Sequence, residues 1–334
     1  MAHIIVKSKF VSELNSLQTV NEIFVISKKF SPQKYKTKSG SWFKLELADK
    51  TGTISLKYWG DDEEGTKNIF DSFLEGDVVQ VNGELVSFNN NWEIKVDPKS
   101  SHQLRKLSDG EYDPEDFMKK TTKDITLMIS NLQKTVSEVS NPHIRKLLES
   151  FVNDEEFMSK KYKMAPAGKS WHHDFVGGLL EHVTSLINIS KTVHSEHPQL
   201  DLDLLVAGCI LHDIGKVEEY KMGLTIEITD YGRLFGHISI GFLMVAEKIS
   251  RIPDFPEELR QKILHMILSH HRQLEHGSPV TPMFPEAVAF SMIDDTDAKS
   301  QHALQLVENN EEDWKYEREP SGSWFMTRKN SNEN

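Results

Sequence analysis

The segment from Leu205 to Lys216 constrains the fold of this chain more than any other stretch. Its apolar residues, at positions 205, 206, 210, 211 and 214, keep helical spacing and predict one face of a buried helix. His212 and Asp213 follow near its end, and burying both is costly unless something compensates them. A metal ion is one such partner, because imidazole nitrogen and carboxylate oxygen are both metal ligands. The alternative is a satisfied core histidine beside a surface aspartate.

The charge is distributed unevenly along the 334 residues, which are enough for two domains. Residues 1–110 hold 15 Lys/Arg and 15 Asp/Glu, so the net charge of -12 belongs to residues 111–334. This balance argues against a protein that simply coats nucleic acid. An acidic module that handles polyanions would need metal ions to neutralise charge locally.

The sequence also predicts where the protein acts. No apolar run approaches the roughly 20 residues of a membrane span, and Met1 to Phe10 lacks the apolar core of a signal peptide. The single cysteine, Cys209, excludes an internal disulfide framework and fits a reducing compartment. We therefore expect a cytoplasmic protein without a membrane partner. Cys209 itself is either a small buried helix residue or a further metal ligand beside His212.

Two-residue alternation from Asn21 to Asp97 predicts five short strands. These are Glu22–Lys29, Ser41–Asp49, Thr53–Trp59, Asp77–Phe88 and Asn91–Val96. A short helical segment around Asn68–Leu74 separates the third strand from the fourth. This is the order of a five-stranded OB-fold barrel, and some other small β-barrel is the alternative.

The outer face of this barrel has the composition of a nucleic-acid surface. Alternation along the second and third strands puts four side chains on that face: Trp42, Lys44, Lys57 and Trp59. The basic loop before the second strand adds Lys34, Tyr35 and Lys36. Bases stack on aromatic rings while phosphates pair with lysines, so this pattern suits a single strand. The alternative is a solvated basic loop beside aromatics that pack against another domain.

Helical periodicity replaces alternation after a predicted linker at residues 98–120, where Pro98 to Asp116 lacks any period. The predicted helices are Thr122–Val139, His143–Met158, Phe175–His194, Leu202–Glu219, Ile238–Ile252, Glu257–His271 and Glu286–Glu308. A hairpin is predicted at Leu224–Thr229 and Arg233–Phe235, and a polar tail at residues 311–334. We therefore expect a multidomain β + α protein, with a barrel at residues 1–97 and a helical bundle at 121–310.

Histidines and aspartates recur on successive predicted helices. They are His182, His212, Asp213, His237, His270, His271 and Asp294. Any one of them would more often be an ordinary core or surface residue. Several on successive helices, flanked by apolar positions, indicate side chains that converge. A helical bundle in which ligands from facing helices converge is a common way to build a two-metal site.

The order of these residues, over roughly Asp174 to Gln305, resembles the HD-domain superfamily of metal-dependent phosphohydrolases. The motifs at Gly177–His182 and Gly236–Gly241, with Ser269–His271 followed by Gly277–Pro279, resemble the bacterial YhaM-type 3′→5′ exoribonucleases. That family also carries an OB-fold before its HD domain, so the resemblance covers nearly the whole chain, more loosely in the barrel. Cyclic-di-nucleotide phosphodiesterases share the metal pattern, but their Gly-Tyr-Pro signature does not follow the paired histidines here.

The resemblance implies two divalent transition-metal ions. One ion would be held by His182, His212, Asp213 and Asp294, and the second would share Asp213 and add His237, His270 and His271. A histidine-rich set disfavours magnesium, and the resemblance favours Mn2+ over Co2+, Fe2+ or Ni2+. Lys216 would balance phosphate charge beside the catalytic Asp213, or else be a solvated lysine at a helix end.

The resemblance further implies a metal-dependent 3′→5′ exoribonuclease that releases 5′-mononucleotides while the OB-fold holds the strand. Single-stranded RNA is the expected substrate, and single-stranded DNA is a second candidate. A homo-oligomer is a candidate assembly state. His172, His173 and Arg272 are weaker candidates for substrate phosphates, and Asp295 and Asp297 either support the ligands or lie on the surface. The alternatives are a phosphohydrolase of small nucleotides and a non-catalytic nucleic-acid-binding protein.

Overall fold

The structure is a computed structural model, and it describes residues 4–88, 91–168, 173–308, 313–317 and 322–328. The chain forms two compact units. The first comprises residues 1–120 with 223–225, and the second comprises residues 121–222 and 226–334. Among the described helices, none is long and apolar enough to cross a membrane.

The first unit is a ring of strands. Its strands are β1 (Gln18–Lys34), β2 (Ser41–Asp49), β3 (Gly52–Trp59), β4 (Val78–Phe88), β5 (Asn91–Val96) and β6 (Gln103–Lys106), with helix α1 (Glu63–Asp71) between β3 and β4. Strand β1 pairs with both β2 and β4, β3 pairs in parallel with β5, and β5 pairs with β4. The first five strands therefore close on themselves, in the order that the sequence predicts.

Alternation decides which side chains fill this ring. The predicted inward residues of β2 and β3 are all buried: Phe43, Leu45, Leu47, Ile54, Leu56 and Tyr58. The residues between them are half-buried or exposed on the other face. The predicted division of faces is confirmed, because a register slip of one residue would have turned every apolar side chain outward.

The first unit differs from the sequence prediction at its edges. Strand β1 runs from Gln18 to Lys34, so Lys34 of the expected basic loop is the last residue of a strand, while Tyr35 and Lys36 follow it. Strand β6, inside the expected linker, pairs antiparallel with β4. The segment after it is anchored by Leu107 and Phe117, which are both buried. A four-residue strand shows too few alternations to be detected by its periodicity.

The second unit is a helical bundle with two short hairpins. Its helices are α2 (Ile125–Ser137), α3 (Pro142–Val152), α4 (Gly178–Glu196), α5 (Leu202–Leu211), α6 (Lys216–Glu219), α7 (Asp230–Ser250), α8 (Glu257–Ser269) and α9 (Pro285–Glu308). The hairpins are β7 (Tyr220–Met222) with β8 (Ile226–Ile228), and β9 (Trp314–Glu317) with β10 (Ser323–Met326). Helix α5 is central, since every residue from Leu204 to Leu211 is buried. A helix that is apolar on all sides belongs inside a bundle.

The second unit differs from the sequence prediction in three places. The predicted helix Leu202–Glu219 breaks between α5 and α6, which places the His-Asp pair in a buried turn. The predicted strand Arg233–Phe235 lies in α7, because the Thr229 side chain accepts a hydrogen bond from the Gly232 amide and so caps that helix. The expected polar tail contains the β9–β10 hairpin.

Candidate metal centre

The seven predicted ligands come together from five parts of the second unit. They are His182 on α4, His212 and Asp213 after α5, His237 on α7, His270 and His271 after α8, and Asp294 on α9. Asp213 is at the middle of the group. Its Oδ2 lies 3.2 Å from Nε2 of His212, and its Oδ1 lies 3.4 Å from Nε2 of His237 and 3.6 Å from Nε2 of His270.

The second carboxylate, Asp294, faces a different pair of histidines. Its Oδ1 lies 3.1 Å from Nε2 of His182 and 3.7 Å from Nε2 of His212. The His271 ring packs on the other side of the group, with its centroid 4.2 Å from that of His270 and 5.3 Å from that of His237. The ligand atoms therefore form two neighbouring groups.

Three of the histidines are oriented by backbone carbonyls. Nδ1 of His212 lies 3.2 Å from the carbonyl oxygens of residues 208 and 209. Nδ1 of His270 lies 2.8 Å from the carbonyl of residue 267, and Nδ1 of His271 lies 2.8 Å from that of residue 276. A carbonyl oxygen can only accept, so Nδ1 carries the proton and Nε2 keeps its lone pair. This is the tautomer in which Nε2 binds a metal.

The other two histidines are oriented by carboxylates. Nδ1 of His182 lies 2.7 Å from Oδ2 of Asp297, and Nδ1 of His237 lies 3.2 Å from Oε2 of Glu219. Pairing of a histidine ligand with a carboxylate is common in metal sites, since it fixes the ring and raises its basicity. Of the two predicted roles for Asp297, the supporting one is confirmed. The sequence did not identify Glu219, which looks like any acidic residue at a helix end.

Four buried atoms at the centre have no hydrogen-bond partner among the described residues: Nε2 of His212, His237 and His270, and Oδ1 of Asp213. Each such atom costs about 1–3 kcal/mol when it is left unsatisfied. The donor atoms of His237, His270 and His271 lie within 4.8 Å of one another, and so do those of His182, His212 and Asp213. A divalent cation would satisfy these atoms, so the residues fit a bound metal.

The protonation states of Asp213 and His270 suit metal binding. Burial alone would raise the pKa of Asp213, but Lys216 and His212 hold it well below its usual range. Burial holds the pKa of His270 well below its usual range. Burial would likewise lower the pKa of His182, but hydrogen bonds with Asp294 and Asp297 outweigh it and raise the pKa to about 9. A cation bound by His182 would therefore displace a proton.

Lys216 is buried beside Asp213 and is only 7% exposed. Its Nζ lies 2.6 Å from Oδ2 of Asp213 and also donates to the carbonyl oxygen of Ala167. The alternative of a solvated lysine at a helix end is therefore wrong. The ammonium group compensates part of the charge of Asp213 and contributes to the lining of the adjacent cavity.

Two glycines allow the turn after α5 to approach α7. A Cβ at Gly215 would lie 2.1 Å from the carbonyl oxygen of His237, so only glycine fits there. Gly236 has a φ of 67°, which bends α7 directly before His237. The glycines of the His-Asp and Gly-His motifs thus place His237 opposite Asp213.

The weaker phosphate-binding candidates lie in different places. His172 is outside the described residues. His173, a weaker candidate for substrate phosphates, is buried behind His182, and its Nε2 lies 3.5 Å from Oδ2 of Asp297. Arg272 lines the cavity next to the centre, and its Nη1 lies 3.2 Å from Oδ2 of Asp295.

That cavity has a volume of about 740 Å³ and extends from Asp213 and His270 to Phe325 on β10. Its lining contains four carboxylates and three lysine or arginine side chains. The carboxylates are Asp213, Asp294, Asp295 and Glu317, and the basic side chains are Lys216, Arg272 and Lys299. Without a cation the cavity therefore has an excess of negative charge, which disfavours an anionic ligand.

The predicted aromatic surface of the first unit is a stack of three rings. Trp42 and Trp59 are directly paired across β2 and β3, with centroids 5.9 Å apart. The Tyr35 ring lies nearly parallel to that of Trp59, at 5.8 Å and 3°. All three side chains are half-buried, so part of each ring is accessible.

The lysines near this stack are partly engaged. Lys57 pairs with Glu93 at 2.8 Å, and the exposed Lys34 pairs with Glu63 at 2.7 Å. Lys44 lies over the Phe30 ring at 5.0 Å, and Lys36 is exposed. We therefore expect the rings to contribute more to nucleic-acid binding than the lysines do, because a lysine that is already paired with a carboxylate gains less from contacting a phosphate.

Comparisons with known proteins agree with this architecture. Residues 179–299 match the HD domain family model, and residues 24–98 match a model described as an OB-fold nucleic acid binding domain. The predicted fold class, an OB-fold followed by an HD helical bundle, is thereby confirmed. The HD family implies dependence on a divalent metal.

The relatives match over most of their length. The 3′-5′ exoribonuclease YhaM of Shouchella clausii is 33% identical over 274 residues, which is 80% of this chain and 81% of the relative. Those of Halalkalibacterium halodurans and Oceanobacillus iheyensis are 32% and 31% identical, with the same coverage. Among solved structures, a murine DNA binding protein bound to double-stranded DNA covers 30% of this chain and 49% of its own, at 17% identity. Its TM-score of 0.24 is too low to relate the two folds.

Proposed function

The chain belongs to the YhaM family of 3′-5′ exoribonucleases, and we propose that it shortens RNA from the 3′ end in a metal-dependent reaction. The resemblance expected from the motifs is confirmed. The observation that carries the proposal is the set of Nε2 and carboxylate atoms that face one another beside an open cavity. The expected products are 5′-mononucleotides.

We propose two divalent ions, with Mn2+ as the metal. The two groups of ligand atoms support this number. Asp294 faces His182 and His212, while Asp213 faces His212, His237 and His270, so in this proposal Asp213 would serve both groups. When bound, the ions would supply positive charge for the phosphodiester and lower the pKa of a nearby water.

The protein groups prepare this site for an anionic substrate. Nδ1 contacts with carbonyl and carboxylate oxygens fix the histidine rings before any ligand arrives. Lys216 holds Asp213 in place and contributes positive charge to the cavity. Arg272 adds a second positive group on the same lining. A phosphodiester would meet these cations together with the ions, which reverses the negative excess of the cavity.

We propose that residues 1–97 bind the single strand and that residues 121–310 form the hydrolase, with 98–120 between them. The stacked rings support this role, because bases stack on aromatic side chains irrespective of sequence. Lys34, Lys36, Lys44 and Lys57 would contact phosphates. Single-stranded DNA as a second substrate, a homo-oligomer and a cytoplasmic location are further proposals.

The test uses purified protein and end-labelled RNA, with Mn2+ or with a chelator. A 5′-labelled RNA should give a descending ladder, and a 3′-labelled RNA should give only labelled mononucleotide at the earliest times. The chelator should abolish both. Internal fragments from a circular RNA, or a mononucleotide released first from the 5′ label, would contradict the assignment. Small nucleotides as the only substrates would favour the phosphohydrolase alternative.

A further inference from the structure

The cavity beside the metal centre continues along one side of α9. Asp294 and Asp295 lie at its metal-binding end, Ala298 and Lys299 one turn later, and His302 at the far end. Eight residues of α-helix rise about 12 Å. The lining therefore reaches well past the ligands, toward residues that have no part in binding a metal.

The β9–β10 hairpin forms the far wall. Alternation along its strands separates two faces. Trp314, Tyr316, Trp324 and Met326 are 50–63% exposed on one face. Phe325 and Glu317 belong to the other face and line the cavity. Glu317 is hydrogen-bonded to Nε2 of His302, and this contact connects the hairpin to α9.

Chemical character changes along this lining. The metal-binding end carries three aspartates, Asp213, Asp294 and Asp295, and the basic residues Lys216 and Arg272. Lys299 and Arg272 both contact Oδ2 of Asp295, at 2.9 Å and 3.2 Å, so the basic side chains continue from the metal-binding end one turn along α9. The far end has Phe325, the one benzene-type ring among the described lining residues. A charged end and an aromatic end match the two ends of a nucleotide.

We propose that the cavity-facing side of the hairpin is part of the substrate site and that Phe325 stacks on the base of the 3′-terminal nucleotide, with the scissile phosphodiester at the metal centre. The proposal rests on the exonuclease function proposed above. A volume of about 740 Å³ is within the range of small-molecule sites and suits a single nucleotide. Stacking does not read hydrogen-bond patterns, so Phe325 would accept every base.

The experiment compares two RNA substrates that differ only in whether the 3′-terminal ribose carries a base. For the wild type, kcat/KM should be about tenfold higher with the base present, since stacking of one base contributes on this scale. Phe325→Ala should remove this preference, and Phe325→Trp should retain it. Trp324→Ala is the matched control, because Trp324 is the exposed neighbour on the opposite face, 63% exposed. It should keep the wild-type ratio.

Several outcomes would overturn the proposal. Equal losses on both substrates in Phe325→Ala would make the ring a structural residue only. A wild type without preference for the intact end, or a Trp324→Ala variant that also loses the preference, would exclude a specific role for Phe325.

A second measurement separates this proposal from the function it rests on. Adenosine 5′-monophosphate and ribose 5-phosphate are titrated into the Mn2+-loaded protein by calorimetry. Phe325→Ala should weaken binding of the nucleotide about tenfold and leave ribose 5-phosphate unchanged. A wild type that binds the nucleotide through Phe325 but does not shorten RNA would contradict the exonuclease and support the base site. If Phe325→Ala binds the nucleotide as the wild type does and RNA is still shortened, the base site is contradicted and the exonuclease function is supported.

Discussion

At the scale of single residues, the candidate metal centre depends on two carboxylates that lie behind the histidines. They contact the Nδ1 atoms and not the Nε2 atoms that would bind the metal. Asp297 contacts Nδ1 of His182 and Glu219 contacts Nδ1 of His237, and each thereby sets which nitrogen of its histidine faces inward. Asp297 also accepts a hydrogen bond from Ser185. These residues orient the ligands, and their removal should affect metal binding before it affects the fold.

We therefore expect Asp297→Asn and Glu219→Gln each to weaken metal affinity 10–100-fold, as loss of such supporting partners commonly does. Equilibrium dialysis against Mn2+ followed by elemental analysis measures this. Glu218→Gln is the matched control, because the neighbouring Glu218 pairs with Lys161 on the surface. An affinity that falls equally in the control would show a general charge effect and contradict the orienting role.

A buried ion pair fixes the start of the first unit. Lys7 lies 3.2 Å from Asp49, and both side chains are fully buried. Burial lowers the pKa of Lys7, while Asp49 partly restores it. Lys7 also donates to the carbonyl oxygen of Ile23 at 2.6 Å. The pair therefore ties the segment before β1 to the ring.

Lys7→Ala leaves the buried carboxylate of Asp49 without its counter-ion, so we expect a loss of about 3–5 kcal/mol in the free energy of unfolding of the first unit. Urea denaturation followed by tryptophan fluorescence reports this loss as a lower midpoint. Lys9→Ala removes an exposed lysine two residues away and should change little. A midpoint that does not move in Lys7→Ala would mean that this segment is not part of the cooperative fold.

At the scale of elements, the approach of the α5–α6 turn to α7 creates the site. Gly215→Ala would bring a Cβ to 2.1 Å from the carbonyl oxygen of His237 and force the two elements apart. A Cβ at Gly236 would meet no atom within 4 Å, so the only cost of Gly236→Ala is the backbone strain of a non-glycine residue at positive φ. We expect Gly215→Ala to lose most bound metal and Gly236→Ala to keep more. Elemental analysis of both variants tests the order, and the reverse order would contradict it.

The aromatic stack on β2 and β3 is the element-scale feature of the first unit. Trp42→Ala with Trp59→Ala should weaken binding of a single-stranded oligonucleotide at least tenfold, since stacking is worth about 1–3 kcal/mol per base. Fluorescence anisotropy of a labelled RNA measures it. Hydrolysis of a dinucleotide should change little, because that substrate needs only the metal centre. Equal losses with both substrates would make the two tryptophans structural.

At the scale of the whole molecule, the metals should stabilise one unit and not the other. The unpartnered atoms at the centre all belong to the second unit. A ligand that binds only the folded state adds about 2.7 kcal/mol at a concentration of 100 times its Kd. Chelation should therefore lower the thermal midpoint of the second unit alone, as scanning calorimetry would show. In Asp213→Ala the chelator should not change the thermal midpoint of the second unit. If the chelator lowers that midpoint as much as in the wild type, the stabilising metal is not bound at this site.

The sequence by itself determined features that repeat over short distances. Alternation gave the inward residues of β2 and β3, and helical spacing gave α5. The seven residues that the order of the motifs predicted as metal ligands lie together in the structure. Where the local signal was short or ambiguous, as at β6 and at the start of α7, the sequence prediction failed.

Only the tertiary structure decided which atoms support the ligands and what closes the cavity. Asp297 and His182 are 115 residues apart, and no period or motif relates them. Glu219 and Phe325 have no distinguishing neighbours in the sequence, yet one orients a ligand and the other ends the cavity. A hydrogen bond or a cavity wall depends on the direction of side chains from separate elements, and that direction is fixed by packing, which local patterns do not record.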